Sequence, residues 1–381
     1  MTKKDIIVVG GGIAGLTAAL TLANKGKDVL LIEKNEHCGG LMNTFEREGF
    51  RFEGGARALV NAGLVKPMIK EFGLDLETLP NPITLGIGGS VIRIEGEQGL
   101  GAYAEMLKKL YPGSEGDIDN IIDAIRSIIE DMKVLYGVDS PLFSKKKKNL
   151  LALAPSVVAW MLKFLKTMYR ISKMDIPFEE RLDELSSNQS LKDIVGQHFF
   201  RKTPVFFALS YFALYNDYVY PKGGVGAFIQ RLADAIRERG GQLLLDTKIV
   251  KVDPGAKVLT DASGNAYGYD KMIWAGDLKA LYAMSDIAGT EKRWQASFAQ
   301  RKEKILGRRG AESVFSVFLA VDLSPEYFSK IASGHLFYTP DKHGLGQIHI
   351  GELKDLLGRW ESVRKDEIYA WLRRFCRYNT F

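Results

Sequence analysis

The residues best suited to do chemistry lie near the amino end: Gly10-Gly11-Gly12-Ile13-Ala14-Gly15, with Glu33 eighteen residues beyond the last glycine. At this spacing Gly10 makes a tight turn, Gly12 lets the main chain approach a pyrophosphate, and Gly15 lets a helix pack closely on a strand. A helix that opens at such a turn presents N–H donors, those of Ile13 and Ala14 among them, and the positive end of its dipole to phosphate. Glu33 can accept hydrogen bonds from ribose hydroxyls. The chemistry implied is dinucleotide binding. The elements that must position these residues are also legible. Ile6 to Val9 reads as a buried parallel strand, Leu16 to Lys25 as a helix ended by Gly26, and Val29 to Ile32 as the second strand that carries Glu33 at its tip.

Downstream, Lys34-Asn35-Glu36-His37-Cys38-Gly39-Gly40-Leu41-Met42-Asn43-Thr44 places a glycine pair six residues after the acid. This resembles the E-[KR]-x-x-x-x-G-G-x-x-x-T continuation of FAD-binding oxidoreductases. The resemblance implies that Lys34, Gly39, Gly40 and Leu41 run beside the flavin diphosphate and ribityl chain, although Leu41 stands where the family commonly has Arg. Gly54-Gly55-Ala56-Arg57 matches the family turn near the isoalloxazine, which makes Gly55, Ala56 and Arg57 further cofactor candidates. Arg57 reads either as a cationic neighbour of the flavin or as a surface residue paired with Glu53 or Glu46.

A third block, Tyr220-Pro221-Lys222-Gly223-Gly224, opens a helix that ends at Gly240-Gly241 and passes into a strand from Gln242 to Val252. It resembles the corresponding stretch of phytoene desaturases, carotenoid isomerases and retinol saturases, where the residue at Ile249 binds the adenine side of FAD through main-chain atoms. A turn at Asp261 to Asn265 and a strand from Tyr269 to Asp277 continue the likeness, and short segments at Leu107 to Gly113 and Lys365 to Leu372 add to it. The fold class implied is α/β: a Rossmann-like FAD-binding domain with an inserted, largely helical plus sheet substrate domain. The FAD-binding domain is expected over 1–85 and 220–285, and the substrate or membrane-facing domain over 86–219 and 286–381. The family's last glycine-rich motif does not occur in these residues. The expectation drawn is that the chain is a truncated or split product or that the flavin's other face is covered otherwise, with the ADP-holding part still able to bind where catalysis is lost.

Composition narrows the remaining classes. The 381 residues are 46% hydrophobic and 26% charged, with a mean hydropathy of −0.08, which excludes a polytopic membrane protein. Cys38 and Cys376 are isolated, and the N-terminus has no signal-peptide pattern, so a cytoplasmic location is expected. The five His lack ligand spacing, so no metal is expected. The net charge of +6 is local: residues 140–174 hold eight Lys or Arg and no acid, leaving −2 for the rest. Within that arm Lys145, Lys146, Lys147 and Lys148 precede the fourteen uncharged residues 149–162. As helix these reach about 21 Å, short of the ~30 Å bilayer core.

From Ser156 onward Lys163, Lys166, Thr167 and Arg170 fall on one helical face and Val157, Val158, Met161, Leu162, Leu165 and Met168 on the other. With Trp160, this pattern predicts an interfacial helix on an anionic membrane surface rather than a nucleic-acid partner. Nine aromatics lie between Phe199 and Tyr220. Phe207, Tyr211, Tyr215 and Tyr218 among them are candidate walls of a tunnel for a lipophilic substrate. No side chain stands out as a general base. The resemblance implies an FAD-dependent oxidoreductase acting on C–C or C=C bonds of an extended isoprenoid, as desaturase, saturase or isomerase. Two rivals stand beside it: a flavin amine oxidase or protoporphyrinogen oxidase-like enzyme, and a non-catalytic, membrane-associated nucleotide-fold protein.

Overall fold

The computed structural model describes residues 2–60, 65–94, 98–136, 154–200, 202–215, 218–309, 316–339 and 341–344. The chain divides into two compact units, Met1–Leu59, Leu64–Leu79 and Val219–Val321 in one, and Val60–Gly63, Pro80–Tyr218 and Asp322–Phe381 in the other. Residues 286–321, expected with the inserted domain, cluster with the first unit instead.

The first unit is built on a six-stranded sheet in the order Gln242–Leu244, Val29–Ile32, Thr2–Val9, Ala266–Trp274, Val258–Asp261, Ile249–Asp253. The first four strands are parallel and the last three form an antiparallel meander. Alternation along the strands loads both faces with apolar side chains. Val8, Val29 and Leu31 face the helices Ile13–Ala23 and Val225–Glu238 through Leu16, Leu20, Phe228, Leu232 and Ile236. Ile7, Val9, Leu30 and Ile32 cluster on the opposite face with Ile249, Val252 and Leu259 of the meander.

The strand expected without a break from Gln242 to Val252 is two strands on opposite edges of this sheet, Gln242–Leu244 and Ile249–Asp253. Asp246, at a φ of 49°, marks the break. The intervening residues find their hydrogen bonds elsewhere: the Asp246 N–H donates to the Asn35 carbonyl and the Thr247 N–H to that of Glu33. Asp261 closes the meander turn by accepting from the N–H groups of Ser263 and Asn265 and from the Tyr267 hydroxyl.

The second unit has a three-stranded sheet, His335–Thr339 parallel to Ile83–Ile87 and the latter antiparallel to Ser90–Ile94, together with helices. Its longest helix, Glu115–Tyr136, buries Ile118, Ile121, Ile122, Ile125 and Ile128 almost completely, a face of core width. Beside it runs Ala154–Ser172.

Candidate functional site

Each motif glycine of the first unit has a different reason to be glycine. Gly10 sits at a φ of 109°, and a Cβ there would lie 2.8 Å from the Ala275 carbonyl carbon. A Cβ on Gly15 would lie 1.9 Å from the Gly10 carbonyl oxygen. These two are therefore required by the close approach of strand, turn and helix. Gly12 differs. Its backbone has ordinary angles, φ −71° and ψ 176°, and a Cβ would meet nothing within 4 Å. It caps the helix Ile13–Ala23 without any side-chain cap bond, so no cap side chain takes up the N–H groups of the first turn.

Glu33 is 6% exposed. One carboxylate oxygen accepts from the Gly11 N–H at 2.6 Å and the other from the Asn35 N–H at 3.0 Å. Each oxygen keeps a further lone pair for a ribose hydroxyl, and the two main-chain bonds fix the carboxylate beside the glycine turn. Lys34 is exposed. Ile249 is buried two residues beyond Thr247, whose N–H meets the Glu33 carbonyl. Cys38 is a free thiol packed against the same turn. Burial, with the Glu33 carboxylate nearby, pushes it up to about 11.

The second and third glycine pairs meet each other. Gly39 bridges Gly12, its N–H donating to the Gly11 carbonyl at 2.8 Å, while the Cα of Gly12 lies 3.4 Å from where a Cβ on Gly40 would be. The Ala56 N–H donates to the Leu41 carbonyl, and a Cβ on Gly55 would come within 2.2 Å of that same oxygen. The Leu41 side chain, where the family commonly has Arg, is 84% exposed. Arg57 is exposed, its guanidinium 3.4 Å from the Ser316 hydroxyl. Glu53, offered as its surface partner, is engaged elsewhere.

That engagement is the part of the site sequence reasoning missed. The hairpin Thr44–Arg47 and Phe50–Glu53 turns through Glu48 and Gly49, both at positive φ, as a two-residue turn requires. It brings Thr44 and Glu53 to the N-terminus of the helix Val225–Glu238. Glu53 accepts from the Thr44 hydroxyl, the Tyr220 hydroxyl and the Val225 N–H. Thr44 accepts from the Gly226 N–H at 2.9 Å. Gly224, at a φ of 96°, leaves room for both side chains. Burial and the Glu53 bond raise the Tyr220 phenol. The T that closes the second motif and the E before Gly54 carried the signal, because both stand beside motif residues. Hairpin and helix border a cleft of about 1010 Å³ that reaches Asn35, Cys38, Gly40, Thr44, Gly226 and Arg237.

In the second unit, Tyr211, Tyr215 and Tyr218 pack ring against ring, with the Tyr211 and Tyr218 hydroxyls 2.6 Å apart. Tyr215 is 3% exposed, its hydroxyl lacks a partner among the described residues, and burial raises its phenol. Phe207 touches Tyr211 but is 55% exposed, so of the four it is an outward residue and not an enclosed wall.

The helix Ala154–Ser172 exposes residues of both expected faces, Lys163 and Lys166 on the basic one and Met161, Leu162, Leu165 and Met168 on the apolar one. Of the basic face only Thr167 is buried, against Asp131, while the exposed Arg170 pairs with the same carboxylate. Trp160 is half-buried and stacks on Phe164. Lys145, Lys146, Lys147 and Lys148 lie outside the described residues, as do the side chains of Val157 and Val158 and the segment Lys365 to Leu372. Among the described residues no helix is long and apolar enough to cross a membrane, and no cluster of metal-ligating side chains occurs.

Comparison with known proteins places this geometry. Two Danio rerio proteins, an all-trans-retinol 13,14-reductase and an inactive all-trans-retinol 13,14-reductase, are each 26% identical, over 65% and 69% of this chain and 42% and 44% of theirs. The carotenoid 3,4-desaturase of Haloarcula japonica is 28% identical over 66% of this chain and 51% of its own. The chain thus spans about half the length of the curated relatives it matches. In three dimensions a Pyrococcus furiosus protein of known structure superposes with a TM-score of 0.52 at 14% identity, covering 77% of this chain and 64% of that one, which shows a shared fold. The family profile of flavin containing amine oxidoreductases matches residues 13–345, and the chain belongs to that family.

Proposed function

We propose that the first unit binds FAD along the glycine turn, and that the protein is an oxidoreductase of C–C or C=C bonds in an extended isoprenoid lipid such as a carotenoid or retinoid. The observation that carries the cofactor assignment is the open space at Gly12, flanked by two glycines that steric contact demands and faced by an anchored Glu33. A methyl at Gly12 would occupy room that the fold itself does not use. In this reading the first turn of the helix Ile13–Ala23 binds the diphosphate and Glu33 orients the ribose. The Thr44–Glu53 pair holds the helix Val225–Glu238 against the hairpin so that the neighbouring glycine pairs keep their place. When bound, the flavin supplies hydride exchange with the substrate, and the protein supplies orientation and a site with little water.

The substrate class rests on the names of the relatives, which act on retinol and on a carotenoid. The outward Met161, Leu162, Leu165 and Met168 support a membrane-facing arm through which a lipid-dissolved substrate would be met. The test is anaerobic mixing of the FAD-loaded protein, in one arm oxidised and in the other reduced beforehand, with retinoid, carotenoid and amine substrates. Reduction of the oxidised flavin by desaturation, or reoxidation of the reduced flavin by saturation, coupled in either case to a change in polyene absorption, supports the reading. Amine-dependent flavin reduction would favour an amine oxidase instead.

A further inference from the structure

A second cavity lies wholly inside the second unit, away from the glycine motifs. It measures about 610 Å³, within the roughly 300–1,000 Å³ range of ligand sites. Its floor is apolar: Ile128, Val205 and Leu209 are at most 3% exposed, and Ala124 and Met174 join them. Its rim is cationic, with Lys166, Arg170, Lys173 and Arg181 against one carboxylate, Glu184.

The rim charges are not equivalent. Arg170 is held by the buried carboxylate of Asp131, and Arg181 pairs with Glu184 at 2.5 Å. Lys173 lies over the Tyr169 ring at 4.4 Å, which directs its ammonium without neutralising it. Lys166 has no ion pair among the described residues. Among the described residues, therefore, no carboxylate pairs with either of these two positive charges at the mouth of an apolar cavity. The mouth opens beside the same helix that exposes Leu165 and Met168.

We infer that this cavity binds an anionic amphiphile, a lipid whose acyl chain lies on Ile128, Val205 and Leu209 and whose phosphate is held between Lys166 and Lys173. Charge complementarity selects an anionic head, which a phosphate with up to two negative charges matches to the two lysines, because a neutral or cationic head leaves both unmatched. The apolar floor selects a chain-bearing ligand over free phosphate, which would bury none of that surface. The site does not depend on the assignment of the flavin cofactor. It makes the basic arm a lipid-reading element rather than a generally sticky one.

The experiment titrates the full chain, stripped of lipid, with dodecyl phosphate below its micellar concentration, by calorimetry. Saturable binding of one equivalent is expected, with inorganic phosphate and dodecyl maltoside each at least about tenfold weaker. The double variant Lys166→Glu, Lys173→Glu, at two exposed residues and with a melting curve expected to match the wild type, should bind dodecyl phosphate at least about tenfold more weakly. Leu209→Trp, which fills the floor, should remove binding while leaving the lysines in place. Inorganic phosphate binding as tightly as dodecyl phosphate would reduce the site to an anion patch and overturn the inference. Dodecyl maltoside binding equally well, or charge variants that bind like the wild type, would overturn it as well.

Discussion

Gly12→Ala and Gly15→Ala are the same chemical change three residues apart, and the structure assigns them opposite consequences. At Gly12 the added methyl touches nothing in the protein. Alanine is a poorer N-cap by up to about 1 kcal/mol, while removing a glycine from the unfolded chain returns about 0.4–1 kcal/mol. The two offset, so the melting temperature should move by less than about 4 °C. Flavin binding should suffer instead, because the methyl occupies the place where the main chain approaches the diphosphate. Losing one charge-assisted hydrogen bond of about 1.5–3 kcal/mol weakens FAD roughly 10- to 150-fold. At Gly15 the methyl would lie 1.9 Å from the Gly10 carbonyl oxygen. Helix and strand would have to separate, at an overpacking cost of about 1–3 kcal/mol or more. The assay pairs thermal unfolding by circular dichroism with FAD titration by flavin fluorescence. A Gly12→Ala protein that binds FAD like the wild type, or a Gly15→Ala protein as stable as the wild type, would refute the division of labour among the glycines.

Glu33→Ala strands the buried Gly11 N–H and removes the part-buried bond from the Asn35 N–H, so it should cost about 1–3 kcal/mol in chemical unfolding even without cofactor, with Glu33→Gln losing less. Tyr220→Phe removes one of three donors to Glu53 and should cost about 1 kcal/mol by the same measurement. The Cys38 thiol, held up to about 11, should alkylate with iodoacetamide far more slowly than an unfolded cysteine at pH 8 and quicken only as pH rises through 10 to 11, followed by mass spectrometry. His198, ringed by Phe199, Phe212 and Phe337, is lowered to about 4 by burial. A depressed histidine favours the fold above the unfolded value near 6.5 and withdraws that support as pH falls toward 4. His198→Phe should therefore flatten the pH dependence of stability between 6.5 and 4.

The first βαβ unit could be read from sequence because each of its requirements is local: a glycine for a turn, a β-branched run for a buried strand, an acid at a strand tip. Glu53 and Thr44 could not be assigned their role, because their partners are the Gly224–Gly226 turn more than 170 residues away and hairpin register brings them there. The break between Leu244 and Ile249 was hidden for a similar reason. Its backbone bonds go to Glu33 and Asn35, and nothing in its own composition announces that. The helix Ala154–Ser172 shows the limit of periodicity. The pattern separates a basic from an apolar face, but residues of both are exposed, and the strip that turns inward runs through Trp160, Phe164 and Thr167, where Asp131, a buried carboxylate on another helix, takes the Thr167 hydroxyl.

The most direct test of the account is the visible spectrum of the purified, folded protein after reconstitution with FAD and removal of the excess. The account predicts a yellow protein with about one flavin per chain, and the flavin released by denaturation should chromatograph as FAD. A colourless protein of native circular dichroism, which takes up no FAD from saturating solution, would contradict it.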